Sequence, residues 1–173
     1  MSAVVYSEPL SMVSGKLDGS ESTVTVESAY RRLWPIVRGK CARMMVDESE
    51  AEDVAQQTFE RLWLAGIANE EPKAVTAWIY KTSTRLVLDR LRRRKVRDAY
   101  RPDVLETPGP HGRAAARQTL IRLASSVPKV EFEAVILSRV DGLTQAEVAE
   151  VLSVSERTVR RYLTRFDKRG INL

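Results

Sequence analysis

The sequence predicts an all-α protein of two small helical domains joined by a flexible linker. Three observations carry this reading. Apolar residues recur at helical spacing over residues 27–97 and again beyond residue 113, and capping signatures open several of these stretches. Between them, Pro102, Pro108, Gly109, Pro110 and Gly112 forbid a continued helix. The organisation expected is an N-terminal extension over 1–26, a first domain over 27–97, a linker over 98–112 and a second domain over 113–173.

Residues 1–26 are rich in Ser, Val and Gly, carry few charges and show no sustained helical period. Thr23-Val-Thr-Val is their one strand-like alternation. From Glu27, residues Tyr30, Leu33, Trp34, Val37, Cys41, Met44 and Met45 form an apolar stripe, which Pro35 is expected to kink or whose start it should delay. Ser49 and Glu52 have capping-box spacing and open a helix to about Ala65. Val54, Ala55, Phe59, Leu62 and Trp63 should point inward, leaving Asp53, Gln56, Gln57 and Glu60 on the outer face. Pro72 precedes a longer helix with Val75, Ile79, Leu86, Val87 and Leu91 as its apolar members. It ends in the basic run Arg92-Arg-Arg-Lys-Val-Arg.

Beyond the linker, helices are expected around Arg113 to Ser125 and, after Pro128, around Val130 to Val140, with Asp141-Gly142 as the stop. Thr144 and Glu147 then have capping-box spacing, and Val148, Ala149, Val151 and Leu152 keep one face of the next helix apolar. Ser153 and Val154 form a turn and Ser155 caps a last helix. In it Val159, Leu163 and Phe166 recur toward a core, while Arg157, Arg160, Arg161, Thr164 and Arg165 fall mostly on the other side. Two short helices, a tight turn and one-sided positive charge suit a helix-turn-helix entering a DNA major groove. An ordinary solvated helix face is the alternative for the arginines alone.

Composition narrows the chemistry. Among 173 residues there are 28 Lys and Arg against 23 Asp and Glu, a formal charge of +5, with the basic residues clustered in Arg92 to Arg97 and in the last helix. A polyanionic partner fits that distribution. One cysteine, Cys41, and one histidine, His111, exclude a disulfide framework, a zinc ribbon and a His-based triad, so no metal, cofactor or catalytic residue is assigned. No apolar run approaches the roughly 20 residues of a membrane span, and the N-terminus lacks the order of a signal peptide. The expectation is a cytoplasmic protein that does not insert into membranes.

Taken together, the two halves resemble one family. The segment Glu50-Ala-Glu-Asp-Val-Ala-Gln-Gln-Thr-Phe-Glu-Arg-Leu-Trp, followed by Ala77-Trp-Ile-Tyr-Lys-Thr-Ser-Thr-Arg-Leu-Val-Leu-Asp-Arg-Leu-Arg-Arg-Arg, is similar to region 2 of bacterial sigma factors of the extracytoplasmic-function group. Asp141-Gly-Leu-Thr-Gln-Ala-Glu-Val-Ala-Glu-Val-Leu and Val154-Ser-Glu-Arg-Thr-Val-Arg-Arg-Tyr-Leu resemble their region 4. The resemblance implies a dissociable initiation subunit of RNA polymerase, not an enzyme. It implies that Asp53, Gln56, Gln57 and Glu60 dock on the beta-prime coiled coil, that the second domain meets the beta flap, and that an anti-sigma factor regulates the chain. Acidic and amide groups on one helix face can indeed pair with a basic partner helix.

The resemblance further turns the third helix toward the minus-10 promoter element, through Trp78, Lys81, Arg85, Asp89, Arg92, Arg93 and Arg94. Cations hold phosphates while flat rings stack on unpaired bases, although Trp78 and Tyr80 are also open to core packing, the favoured reading for Trp78 taken alone. Many relatives carry Asn where this chain has Arg85, so their base preference does not transfer. For the minus-35 element, Arg157, Thr158, Arg160, Arg161 and Arg165 are expected to divide between base edges and phosphates. A stand-alone helix-turn-helix regulator is the competing class. A recombinase-like enzyme lacks the expected cluster of carboxylates or oriented nucleophile. Promoter sequences, inducing signal, the identity of the anti-sigma factor and the role of residues 1–26 are not legible.

Overall fold

The computed structural model describes residues 25–45, 47–67, 70–100 and 113–170, and all its regular structure is helical. The extension up to residue 24 and residues 101–112, most of the expected linker, lie outside the described residues. None of the described helices is long and apolar enough to cross a membrane.

Helix α1 spans Val26–Met44. Its cap is a reciprocal box: Thr25 Oγ1 accepts from the Ser28 amide at 3.1 Å, and Ser28 Oγ accepts from the Thr25 amide at 2.9 Å. Thr25 and Val26 therefore begin a helix, not the strand their alternation suggested. Pro35 neither delays nor ends α1, which runs through it. The missing amide forfeits one hydrogen bond, and burial of Ala29, Leu33, Val37, Cys41 and Met44 along one face outweighs that loss.

Helix α2, Glu48–Ala65, starts differently from the expected Ser49 and Glu52 box. Asp47 is its N-cap and accepts from the Ser49 amide at 2.8 Å, which makes Ser49 the capped residue. Gly66, at φ 66°, closes the helix in the left-handed conformation a side chain would resist. Trp63, expected inward, is 69% exposed, as is its neighbour Leu64 at 76%. Leu62 takes the inward direction in this turn, and residues adjacent in a helix point about 100° apart.

Helix α3, Pro72–Tyr100, is the spine of the molecule. It continues through Asp98, Ala99 and Tyr100, three positions expected to be linker. Val75, Ile79, Leu86, Val87, Leu88 and Leu91 are buried along it, together with Thr76, Ser83 and Thr84. These hydroxyls donate to their own helix, Thr76 to the Pro72 carbonyl and Thr84 to the Tyr80 carbonyl, both at 2.8 Å. Satisfied internally, they let α3 be covered on several sides at once. It touches α1 and α2 of the N-terminal half and all the helices before the last in the C-terminal half.

That second half comprises α4 (Arg113–Ser126), α5 (Lys129–Val135), α6 (Gln145–Leu152) and α7 (Glu156–Asp167). Helix α5 passes into a π-helical turn over Ile136–Val140, in which the Asp141 amide donates to the Ile136 carbonyl at 3.1 Å. Phe132 and Phe166 stack at 6.3 Å between centroids and tie α5 to α7. The buried apolar residues of both halves form one continuous cluster from Ala29 to Phe166.

Candidate nucleic-acid interface

The helix-turn-helix is assembled by local chemistry. Thr144 Oγ1 accepts from the Glu147 amide at 3.3 Å, and Glu147 Oε2 accepts from the Thr144 amide at 2.8 Å, completing the box that opens α6. Ser153 makes the turn in a left-handed conformation, φ 58°, and the Val154 amide returns to the Ala149 carbonyl at 2.9 Å. Ser155 then caps α7 by accepting from the Thr158 amide at 3.3 Å. Val159 and Phe166 are buried on the inner side, while Leu163 is half-buried.

On the outer side Arg157, Arg160, Arg161, Thr164 and Arg165 are all exposed. Arg160 reaches the Gln145 amide oxygen at 3.5 Å, and the Arg161 guanidinium lies 5.9 Å from the Tyr162 ring centroid. Thr158 is set apart from the arginines. It is half-buried, and its hydroxyl is 2.9 Å from Ser155 Oγ, within the cap itself.

The cations of α3 have different surroundings. Arg85 Nε donates to both oxygens of the buried Glu133 at 3.2 Å. Arg92 Nε donates to the Ala124 carbonyl at 2.6 Å, and Asp89 accepts from Lys129 at 3.1 Å. Glu133, Ala124 and Lys129 all belong to the C-terminal half. Trp78 and Lys81 are half-buried and Arg93 is exposed. Arg94 leaves the group altogether: it faces α2 and lies 3.8 Å from Glu50, because it sits about half a helical turn from the Arg85 stripe.

A third surface lies between α1 and α2. Tyr30 stacks on Trp34 at 4.9 Å and meets Phe59 edge-on at 5.1 Å. With Ser49, Glu52, Asp53, Gln56 and Glu60 they line an open cleft of about 580 Å³. Asp53, Gln56 and Glu60 thus share one site, whereas Gln57 is half-buried beside it and outside the lining.

Several residues of consequence escaped the sequence reading. Lys40 is 2% exposed and lies 2.6 Å from the carboxylate of Asp141, which is also buried. Lys40 Nζ donates to Thr84 Oγ1 at 2.7 Å and to the Tyr80 carbonyl at 3.3 Å, and sits 4.7 Å from the Tyr80 ring centroid. Asp141 is less well served: despite its proximity to Lys40, neither carboxylate oxygen receives a well-directed hydrogen bond. Burial pushes its pKa up, against the opposing pull of Lys40 and Arg43. The one available signal was a lysine lying within the α1 apolar stripe between Val37 and Cys41.

An all-helical chain with a helix-turn-helix at one end and a cation-bearing spine at the other defines a DNA-binding protein of two modules. Comparison with known proteins makes this specific. The family Sigma-70 region 2 matches residues 29–97, and Sigma-70, region 4 matches residues 117–165. RNA polymerase sigma factor CnrH of Cupriavidus metallidurans is 30% identical over 129 residues, covering 66% of this chain and 68% of its own length. The ferric citrate uptake sigma factor FecI of Escherichia coli is 28% identical over 154 residues, 83% and 87% of the two chains. The ECF RNA polymerase sigma factor SigW of Bacillus subtilis is 24% identical over 141 residues, 72% and 75%. The chain belongs to the sigma-70 family, in its extracytoplasmic-function group, and is a sigma factor that directs RNA polymerase to promoters.

Proposed function

We propose that the three surfaces divide the work of initiation. The cleft carrying Asp53, Gln56 and Glu60, with Gln57 at its edge, docks on the beta-prime coiled coil of core polymerase, and the second domain meets the beta flap. Carboxylates beside stacked aromatics favour a basic, partly apolar helix. Helix α7 enters the major groove of the minus-35 element, with Arg157, Arg160, Arg161 and Arg165 shared between base edges and phosphates. Helix α3 holds the minus-10 element through Lys81, Arg85, Arg92 and Arg93. Capture of unstacked bases there offsets local melting, so opening draws on binding free energy. Thr158 acts by capping α7, and Arg94 by steadying α3 on α2. An anti-sigma protein covering these same faces provides the regulation.

The observation that carries this reading is the presence of one acidic, aromatic-lined cleft and two separate cation-bearing helices on a single chain. Reconstitution with purified core polymerase tests it. The wild-type chain should direct initiation from sites sharing one pair of upstream motifs, and Asp53→Ala with Gln56→Ala should abolish assembly without altering the circular dichroism spectrum. Normal assembly by that variant would remove the cleft from the mechanism.

A further inference from the structure

The four arginines of α7 are not equivalent. Arg157, Arg161 and Arg165 are exposed and, among the described residues, their guanidinium groups have no hydrogen-bond partner; Arg161 only lies 5.9 Å from the Tyr162 ring centroid. Arg160 is held from outside its own helix, because its Nε donates to Gln145 Oε1 at 3.5 Å. An arginine can only donate, so Gln145 presents its oxygen here and turns its NH2 away. A bond of that length is weak by itself, and its weight comes from what fixes its two ends. Gln145 is half-buried and is the first residue of α6, whose start is set by the Thr144 and Glu147 box. The Ser155 cap sets the start of α7 in the same way, and buried Val148, Val151 and Val159 lie between the two helices and the core. The acceptor that meets Arg160 is therefore carried on a rigid neighbouring element.

We propose that Gln145 is a positioning residue for base reading: it holds Arg160 by Nε, so that the two terminal nitrogens of the guanidinium meet a guanine of the minus-35 element. This rests on the assignment of α7 to that element. Two physical arguments support it. The first is what remains unused. With Nε engaged, Nη1 and Nη2 are left as a parallel pair of donors, the arrangement that matches the O6 and N7 acceptors on the major-groove edge of guanine. The second is entropic. A freely rotating arginine loses rotamer freedom when it makes a directed contact, whereas one already held by a neighbour has less to lose. Arg157, Arg161 and Arg165 lack that support, which singles out Arg160 as the arginine prepared to discriminate between bases.

The test uses the full chain reconstituted with core polymerase. The probe is a duplex promoter mapped with the wild-type holoenzyme, together with the set of duplexes carrying each single-base change in its upstream element. Arg160→Ala should flatten the preference for one guanine by about tenfold or more. Gln145→Ala should lower the preference at that same base pair about fivefold and leave the other positions unchanged. Gln145→Glu keeps an acceptor facing Arg160, so it should restore the preference there while weakening binding to all the duplexes alike, since it adds negative charge beside DNA. Placed on top of Arg160→Ala, Gln145→Ala should cost nothing further. Alanine suits the first turn of a helix and leaves the Thr144 and Glu147 box intact, so the melting temperature should match that of wild type.

A Gln145→Ala chain that loses affinity equally for every duplex, or that loses as much without Arg160 as with it, overturns the positioning role. The assignment of α7 is judged separately. If Arg160→Ala flattens one base pair while Gln145→Ala leaves that pair sharp, α7 stays on the minus-35 element and only the positioning is lost. An equal loss from Arg160→Ala on all the duplexes makes Arg160 a phosphate contact and overturns the proposal with α7 still on DNA. If alanine at Arg157, Arg160, Arg161 and Arg165 together leaves every upstream preference intact, the assignment itself fails and the positioning role falls with it.

Discussion

Helices α3 and α7 both carry positive charge but hold it in opposite ways. The arginines of α7 stand outward over a core made by Val159 and Phe166, and Arg160 and Arg161 touch neighbours within the helix-turn-helix. Three of those on α3 are engaged by a carboxylate, a carbonyl or a neighbouring helix, Arg85 with Glu133, Arg92 with Ala124 and Arg94 with Glu50, while Arg93 stands exposed. A run of basic residues therefore specifies the sign of a surface and says little about its availability. Availability is decided by what the rest of the chain brings opposite it.

The largest expected effect breaks α7's side of this contrast. Phe166 is fully buried against Phe132, so Phe166→Ala should lower stability by about 3–5 kcal/mol in urea unfolding. Promoter binding should fall with it, because the arginines lose their platform. Next comes the surface itself. Arg161→Ala should weaken promoter binding by about 1–3 kcal/mol if it reads a base, seen as a loss confined to cognate sequence in fluorescence anisotropy. An equal loss on all DNA would make Arg161 a phosphate contact. In the turn, Ser153 adopts a left-handed conformation that glycine adopts freely. Ser153→Gly should stabilise the fold by about 1 kcal/mol, seen as a raised melting temperature.

The joint on α3's side titrates. Burial, opposed by Lys40 and Arg43, leaves the Asp141 carboxyl above its ordinary range. Such a group stabilises the folded chain below the ordinary carboxylate pKa, and that stability is lost as pH rises through the raised value. Asp141→Asn, which cannot ionise, should gain stability relative to wild type over that rise in paired denaturation series. The smallest effect is a silence. Burial pushes the Cys41 thiol up to about 12, so it should not react with thiol reagents at neutral pH until urea unfolds the chain.

The helix-turn-helix was legible almost residue by residue because its determinants are local: a reciprocal box at Thr144 and Glu147, a cap at Ser155, and a period of burial from Val148 to Phe166. Where two local rules compete, the reading slipped. Asp47 outranked Ser49 as the cap of α2, and Thr25 with Ser28 formed a box without the usual Glu or Gln. Trp63 showed that apolar character does not ensure burial at the end of a helix, and Pro35 that tertiary burial can carry a helix through a proline. Arg94 and Thr158, grouped by sequence with the DNA-facing residues, have surroundings that sequence does not show: one faces α2 and the other lies within a cap. The pairs joining the halves, Lys40 with Asp141 and Arg85 with Glu133, link positions far apart in sequence. Periodicity and capping carry no information about such partners.

The π-helical turn at Ile136–Val140 fits one more residue than an α-helical turn would before Asp141. Deleting a single residue there, Ser138 for example, would let α5 close in ordinary α register. The wider turn absorbs that residue locally, so its removal should leave Asp141 near Lys40. Without such a bulge, one added residue would carry the downstream chain about 1.5 Å along the axis and about 100° around it. The bulge is what lets the longer chain keep the same meeting point.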